Sequence, residues 1–197
     1  MPYYIPQSRF ISLIERKVCM AEIAVLRLGH RLPRDERITT HVFLTARAFG
    51  ASCGFYSGQK DSSLEKSISS ISENWGGEFP VAHEPSPMKL IRKMKGEGWK
   101  VAHLTMYGLP LPEVQPQLAS AKRLLVIVGG EKVPPEIYGA AGFNIAVGSQ
   151  PHSEVAALAL LLDRAFQGKE LERAFDSNFG GKVKLEPSAK GKKIRGR

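Results

Sequence analysis

Leu124–Val128 reads LLVIV, five apolar residues in a row with three of them β-branched, held between Lys122-Arg123 and Gly129-Gly130. A strand with no alternation of apolar and polar residues is one buried on both faces, as in the middle of a parallel sheet. Working outward, Ile23–Leu28 (IAVLRL), Cys53–Tyr56, Phe79–His83, Lys100–Met106 and Asn144–Val147 read as further strands. Helical patterns separate them. Thr39 or Thr40 is placed to cap a helix with Val42, Ala46 and Phe49 inward, ending at Gly50. A Ser62-x-x-Glu65 capping box precedes Leu64, Ile68, Ile71 and Trp75, which share one helix face. Pro87 opens a helix with Leu90, Ile91 and Met94 inward, and Pro134–Ala141 reads as a short one. Pro151 starts a long helix to Phe166, with Leu171–Phe175 adding a further turn or two. Pro110–Ala121, interrupted by proline, reads as a loop or short helix. Strands alternating with helices predict an α/β fold, a mostly parallel sheet with helices on both faces.

The chain has 197 residues and 43% apolar composition, enough for one self-sufficient core and too much for wholesale disorder. The longest unbroken apolar run is Val155–Leu162, eight residues, far short of the ~20 that span a bilayer. The N-terminus has neither the apolar core nor the cleavage site of a secretory signal. Cys19 and Cys53 make no disulfide framework and are read as buried, reduced thiols. A soluble, cytoplasmic protein with no membrane partner is expected. Three regions are expected: an N-terminal extension over 1–19, the folded α/β domain over 20–176, and a basic C-terminal tail over 177–197. The extension includes a possible short helix, Phe10–Val18.

The net charge is +9, and residues 182–197 supply +6 of it, through Lys182, Lys184, Lys190, Lys192, Lys193, Arg195 and Arg197 against Glu186. With Pro187 and several small residues, that segment reads as a flexible end, either solubilising or able to follow a polyanion. Between Ala24 and Gly50 every basic residue is arginine: Arg27, Arg31, Arg34, Arg37 and Arg47. Arginine's planar fork holds a phosphate at two points where lysine offers one, so this cluster favours a phosphate-bearing partner.

In open α/β sheets the ligand sits beyond the carboxyl ends of the strands. Three such ends are rich in glycine and polar residues: His103–Gly108, Val128–Val133 and Ala146–Glu154. Together they point to a pocket. The familiar cofactor signatures are missing: no G-x-G-x-x-G follows a strand, no P-loop spacing surrounds Gly129-Gly130-Glu131-Lys132, and no G-x-S-x-G elbow accompanies His152-Ser153. The five histidines form no i, i+4 pair, and no metal is expected.

Leu26-Arg-Leu-Gly-His-Arg31 with Arg34-Asp35, and Thr39-Thr-His41 through Ala46-Arg-Ala-Phe-Gly50, resemble the first motif of the archaeal tRNA (cytidine-56-2′-O)-methyltransferases. Val101–Gly108, Val128–Pro134 and Asn144–Leu158 resemble that family's remaining motifs, in order. The resemblance covers about residues 21–166 and leaves out residues 1–19 and the basic tail. It implies the knotted SPOUT superfamily, with a trefoil knot in the C-terminal half, a homodimer, a tRNA substrate and S-adenosyl-L-methionine as cofactor. The cofactor positions it implies are Leu104; Gly129, Gly130, Glu131, Lys132 and Val133; and Val147, Gly148, Ser149, Gln150, Pro151, His152, Ser153 and Glu154.

For catalysis the resemblance and the arginine cluster together single out Arg27, Arg31, Arg37 and His41. The arginines, with Arg34, are candidates to clamp phosphates, and His41 and His30 are easier proton acceptors than any arginine. The family's helix arginine aligns with Leu44, and Arg47 lies one turn later. Two other readings remain open at this point: a related enzyme acting on another RNA ribose or on a base, and a non-catalytic tRNA-binding protein. The apolar run VAALALLL at the start of the last long helix needs cover on every side, either within the domain or from a second copy.

Overall fold

In the computed structural model, which describes residues 21–130, 132–173 and 180–195, LLVIV forms β5 (Arg123–Val128). Its five apolar side chains are each at most 1% exposed, as a strand covered on both faces must be. Before it in the chain come β1 (Glu22–His30), α1 (Glu36–Ala48), β2 (Cys53–Gly58), α2 (Ser62–Trp75), β3 (Val81–His83), α3 (Pro87–Gly96), β4 (Lys100–Pro110) and α4 (Leu111–Ala119). After it come α5 (Pro135–Ala140), β6 (Phe143–Ala146), α6 (Glu154–Phe166), α7 (Lys169–Arg173), β7 (Lys184–Glu186) and β8 (Lys193–Arg195).

Strands β1 to β6 form one sheet in the order β3-β2-β1-β5-β4-β6, with every neighbouring pair parallel. Helices cover both faces. On one side Val42, Phe43 and Ala46 of α1, Leu64 and Ile68 of α2, Leu111, Val114 and Leu118 of α4, and Leu158, Leu161 and Leu162 of α6 pack onto Ile23, Val25, Leu124 and Val126. On the other, Leu90, Ile91 and Met94 of α3 and Ile137 of α5 pack onto Ala24, Leu26, Leu125 and Ile127. The strand order reverses between β1 and β5, where Arg27 lies opposite Val128. That reversal opens a crevice at the carboxyl ends of the strands.

Several local expectations change. Helix α1 begins at Glu36, a turn before the expected threonine cap, because Thr39 is fully buried and turned onto His30 (Oγ1–Nδ1 2.9 Å). Helix α2 is capped by Asp61, whose Oδ1 accepts from the amides of Ser63 (2.8 Å) and Leu64 (3.1 Å). Glu65 does not close a capping box; it accepts the Tyr56 hydroxyl at 2.8 Å. Residues 111–119 are helical despite two prolines. Pro112 lies in the first turn, where a missing N–H forfeits no helical bond, and burial of Leu111, Val114 and Leu118 outweighs the interior Pro116. Ile71 is only half-buried and Trp75, expected inward, is 43% exposed.

The largest change is the C-terminal segment. In place of a flexible end, β7 and β8 pair antiparallel, with Leu185 opposite Ile194. The hairpin is rooted on the end of α2, where Gly76 bridges Gly180 and the Val183 amide donates to the Asn74 carbonyl (2.9 Å). A Cβ on Gly181 would collide with the backbone of Trp75 and Gly76, so the root needs glycine. The possible helix over Phe10–Val18 and the continuation through Phe175 lie outside the described residues. No described helix is long and apolar enough to cross a membrane.

Candidate active site

The three loops singled out in the sequence leave β4, β5 and β6, which are neighbours, so their roots converge. Leu104 pairs with Val128 on one side and Ile145 on the other. Both Leu104 and Leu109 pair with Ile145, so Thr105–Gly108 bulge out of the ladder between them. A Cβ at Gly108 would strike the backbone of Asn144 and Ile145, and one at Gly129 would strike the Val133 side chain. Glycine at these two places lets the strands and the loop close up.

The loop after β6 turns at Gly148, in the left-handed region at φ +76°, and the His152 ring donates to the Val147 carbonyl, closing the turn. Ser153 caps α6, its hydroxyl accepting from the Val155 amide (3.2 Å). Gly148, Ser149, Gln150, Pro151, His152 and Ser153 are exposed, while Leu104 is buried and Val133 and Val147 are half-buried. Leu104 and Val147 pack with the core on one side of the sheet and Val133 with the core on the other; apolar side chains beside loop amides and a helix N-terminus suit a nucleoside with an anionic tail. Gly130 and Lys132 lie on the same loop, and Glu131 is outside the described residues.

Strand β1 ends beside β5 at the same edge, and Arg27 ties it to the start of α6. Its Nη2 lies 2.9 Å from Glu154 Oε1 and its Nη1 donates to the Leu28 carbonyl at 2.9 Å. A Cβ on Gly130 would lie 3.3 Å from the same guanidinium. Burial lowers the Arg27 pKa, while Glu154 and Asp35 partly restore it. Burial raises the Glu154 pKa, with Arg27 opposing. Arg27, expected among the clamping residues, is 2% exposed, with its guanidinium turned to Glu154 and not to the surface where Arg31 and Arg37 lie. It is an anchor between β1 and α6.

The other catalytic candidates lie on the outer side. Arg31 is exposed and its Nε is held 3.0 Å from Asp35 Oδ2. Burial alone would raise the Asp35 pKa, but the contacts to Arg31 and the nearby Arg27 leave it lowered. Asp35 therefore faces both arginines and ties the arginine loop to the buried anchor. Arg37 and His41, four residues apart on α1, share one exposed helix face. His30 is fully buried between Thr39 and Asp61 (Nε2–Oδ2 3.4 Å), so it braces the loop and is not available as a proton acceptor. Arg47 is spent in the same way, donating to the Gly76 carbonyl at the root of the hairpin.

Sequence reasoning placed His103 at the start of the first loop but gave it no role, and the structure sets it as a buried polar group at the base of the loops. His103, fully buried in β4, has its Nδ1 2.9 Å from Asn144 Oδ1 on β6, and Tyr138 of α5 packs edge-on at 4.7 Å. The signal was a histidine inside an apolar strand, next to the first loop. Among the described residues no group of three or more His, Cys, Asp or Glu side chains is placed to hold a metal ion.

Comparison with known proteins follows the same lines. A family model described as tRNA ribose 2′-O-methyltransferase, aTrm56, matches residues 75–195. That span includes the hairpin, correcting the expectation that the basic segment lies outside the resemblance. The chain is similar to a tRNA (cytidine(56)-2′-O)-methyltransferase of Methanothrix thermoacetophila, at 49% identity over 172 residues, 87% of this chain and 96% of that protein. A protein of the same name from Methanopyrus kandleri is 50% identical over 170 residues, 86% of this chain and 94% of its own. Among solved structures, the A. aeolicus TrmH/SpoU tRNA modifying enzyme aligns with a TM-score of 0.60 at 18% identity, covering 85% of this chain and 84% of that one. The SpoU methyltransferase AviRb from Streptomyces viridochromogenes, in complex with the cofactor AdoMet, aligns with a TM-score of 0.56 at 16% identity, covering 81% and 61%. At such identities the structures speak for the fold: this sheet is that of the SpoU/TrmH methyltransferases.

Proposed function

This chain belongs to the aTrm56 family of tRNA ribose 2′-O-methyltransferases, and on that premise we infer that it moves a methyl group from S-adenosylmethionine to the ribose 2′-hydroxyl of cytidine 56 in tRNA. The observation that carries the assignment of residues is the convergence of Leu104, Gly129, Gly130, Lys132, Val133 and Val147–Glu154 at one end of the sheet, beside an arginine-rich loop.

S-adenosylmethionine supplies a methyl group already activated by its sulfonium. The protein's share is to hold it, bring up the ribose and take away a proton. Leu104, Val133 and Val147 offer apolar contact to an adenine ring. The loop amides and the N-terminus of α6 suit a carboxylate. Lys132 lies exposed at the rim. Arg31, Arg34 and Arg37 are at the surface and suit the phosphates flanking the target ribose. His41, one turn beyond Arg37, is the side chain we assign as proton acceptor.

Three further features belong to this reading. The trefoil knot is supported by the strand order β5-β4-β6, in which the chain crosses β4 between β5 and β6. A homodimer is supported by apolar side chains left uncovered near one another in the chain, Met106, Tyr107 and Leu109, and by Leu160 on the outer side of α6, 47% exposed. The exposed lysines of the hairpin, beside Trp75, suit a nucleic-acid backbone. With a tRNA substrate the enzyme belongs in the cytoplasm.

The test is incubation of the purified protein with labelled S-adenosylmethionine and unmodified tRNA, then nuclease digestion. Labelled 2′-O-methylcytidine, lost when position 56 is changed, supports the reading; a methylated base or no label overturns it. Arg31→Ala and Arg37→Ala lower turnover far more than cofactor affinity. Unchanged turnover in both removes them from the mechanism. Sedimentation showing a monomer at micromolar concentration removes the dimer.

A further inference from the structure

His103 carries a buried acceptor with nothing to accept. Asn144 Nδ2 donates to the Tyr138 carbonyl at 3.0 Å, which orients the amide with its oxygen toward His103. A carbonyl oxygen accepts only, so the His103 proton sits on Nδ1 and Nε2 presents its lone pair. Burial pushes the ring's pKa down, with the Asn144 bond opposing. Nε2 has no hydrogen-bond partner among the described residues although the residue is fully buried. A buried acceptor left without a donor is costly, so a ligand that supplies one gains affinity. A Cβ on Gly129 would stand 3.7 Å from that nitrogen, so Nε2 lies beside the root of the loop that follows β5. Among the described residues, the neighbours Ile127, Tyr138, Asn144, Gly129 and Val133 carry no charge.

We propose that His103 is a cofactor-binding residue whose Nε2 accepts a hydrogen bond from an O–H or N–H donor on the adenosine half of the bound methyl donor. This rests on the reading of the three loops as the S-adenosylmethionine site. Two donors share that chemistry, the ribose hydroxyls and the adenine amino group. Histidine is suited to the place because its second nitrogen is locked by Asn144, fixing the tautomer that a donor needs.

The experiment is calorimetric titration of the full chain with S-adenosylhomocysteine. His103→Asn keeps a donor at the Nδ1 position and deletes the Nε2 acceptor; its dissociation constant rises about tenfold or more. The wild type loses a comparable factor toward a 3′-deoxy, a 2′-deoxy or an inosine analogue, and the arm that loses it names the donor. His103→Asn loses nothing further with that analogue. A variant that melts with the wild type and binds S-adenosylhomocysteine equally well overturns the proposal. Should His103→Asn not fold, the wild-type histidine 15N spectrum decides. An upfield move of the Nε2 resonance on titration supports the proposal, and an unmoved resonance at saturation overturns it. A wild type that binds no S-adenosylhomocysteine overturns the site reading itself, an outcome separable from the others.

Discussion

Replacing Arg27 by methionine distinguishes a buried anchor from a phosphate clamp. The Arg27 side chain is 3% exposed and its partner Glu154 27% exposed, so the variant leaves a mostly buried carboxylate without its cation. Removing one member of a fully buried pair costs about 3–5 kcal/mol; with Glu154 partly solvated and able to protonate, about 2–3 kcal/mol is expected. For a chain of this size that is roughly 5–10 °C in Tm. Arg27→Met/Glu154→Leu removes both charges together and recovers most of the loss. The salt dependence of tRNA binding gives the complementary readout. A cation that touches no phosphate releases no counterion, so Arg27→Met leaves the slope of log affinity against log salt where it was. Arg31→Ala, at an exposed site, lowers that slope by about 0.7 while costing about 1 kcal/mol or less in stability. Circular-dichroism melts and fluorescence anisotropy at graded salt measure the two quantities. An Arg27→Met protein that melts with the wild type but binds tRNA with a shallower slope would refute the anchor.

Deleting residues 188–197 removes five basic side chains and flattens the same slope by about 3–4 units for a single-strand-like target, checked by the same titration. Cys53, buried and with its thiol pushed up to about 12 by burial and by Glu22, resists alkylation at pH 8 in the native protein and reacts fully in urea, as mass spectrometry reports. Asp61→Ala destabilises the fold by about 1–2 kcal/mol through loss of the α2 cap. Burial would raise the Asp61 pKa, but its bonds from Ser63 and Leu64 and the nearby His30 leave it lowered. The stability this group adds is therefore full above its unfolded pKa and lost as pH falls through the folded value. Denaturation of both proteins shows the gap closing below about pH 4.

How much was legible can be followed residue by residue. LLVIV announced a strand covered on both sides because β-branched residues without alternation satisfy only a doubly packed position. The glycines of the three loops marked strand ends, and motif order carried the family. The hairpin was not legible: each of its strands is three residues long, and its apolar signal is Leu185 opposite Ile194, a pairing visible only once the chain has folded back. Helix starts were misplaced for a related reason. Thr39 and Glu65 have the chemistry of caps but are claimed by His30 and Tyr56, partners distant in the chain.

The site divides in the same way. By itself the sequence determined the α/β class, the loops that gather at the strand ends and the arginine-rich first motif, because periodicity, glycine and charge are local properties. Only the tertiary structure decided which arginine is buried, which histidine keeps a lone pair turned inward and where the basic segment docks. Arg27 and Arg31 are the same residue type four positions apart. One is enclosed where β1 meets Glu154 of α6, and the other is held at the surface by Asp35. Burial and partnership set whether a guanidinium anchors a fold or meets a phosphate, and both belong to the folded chain.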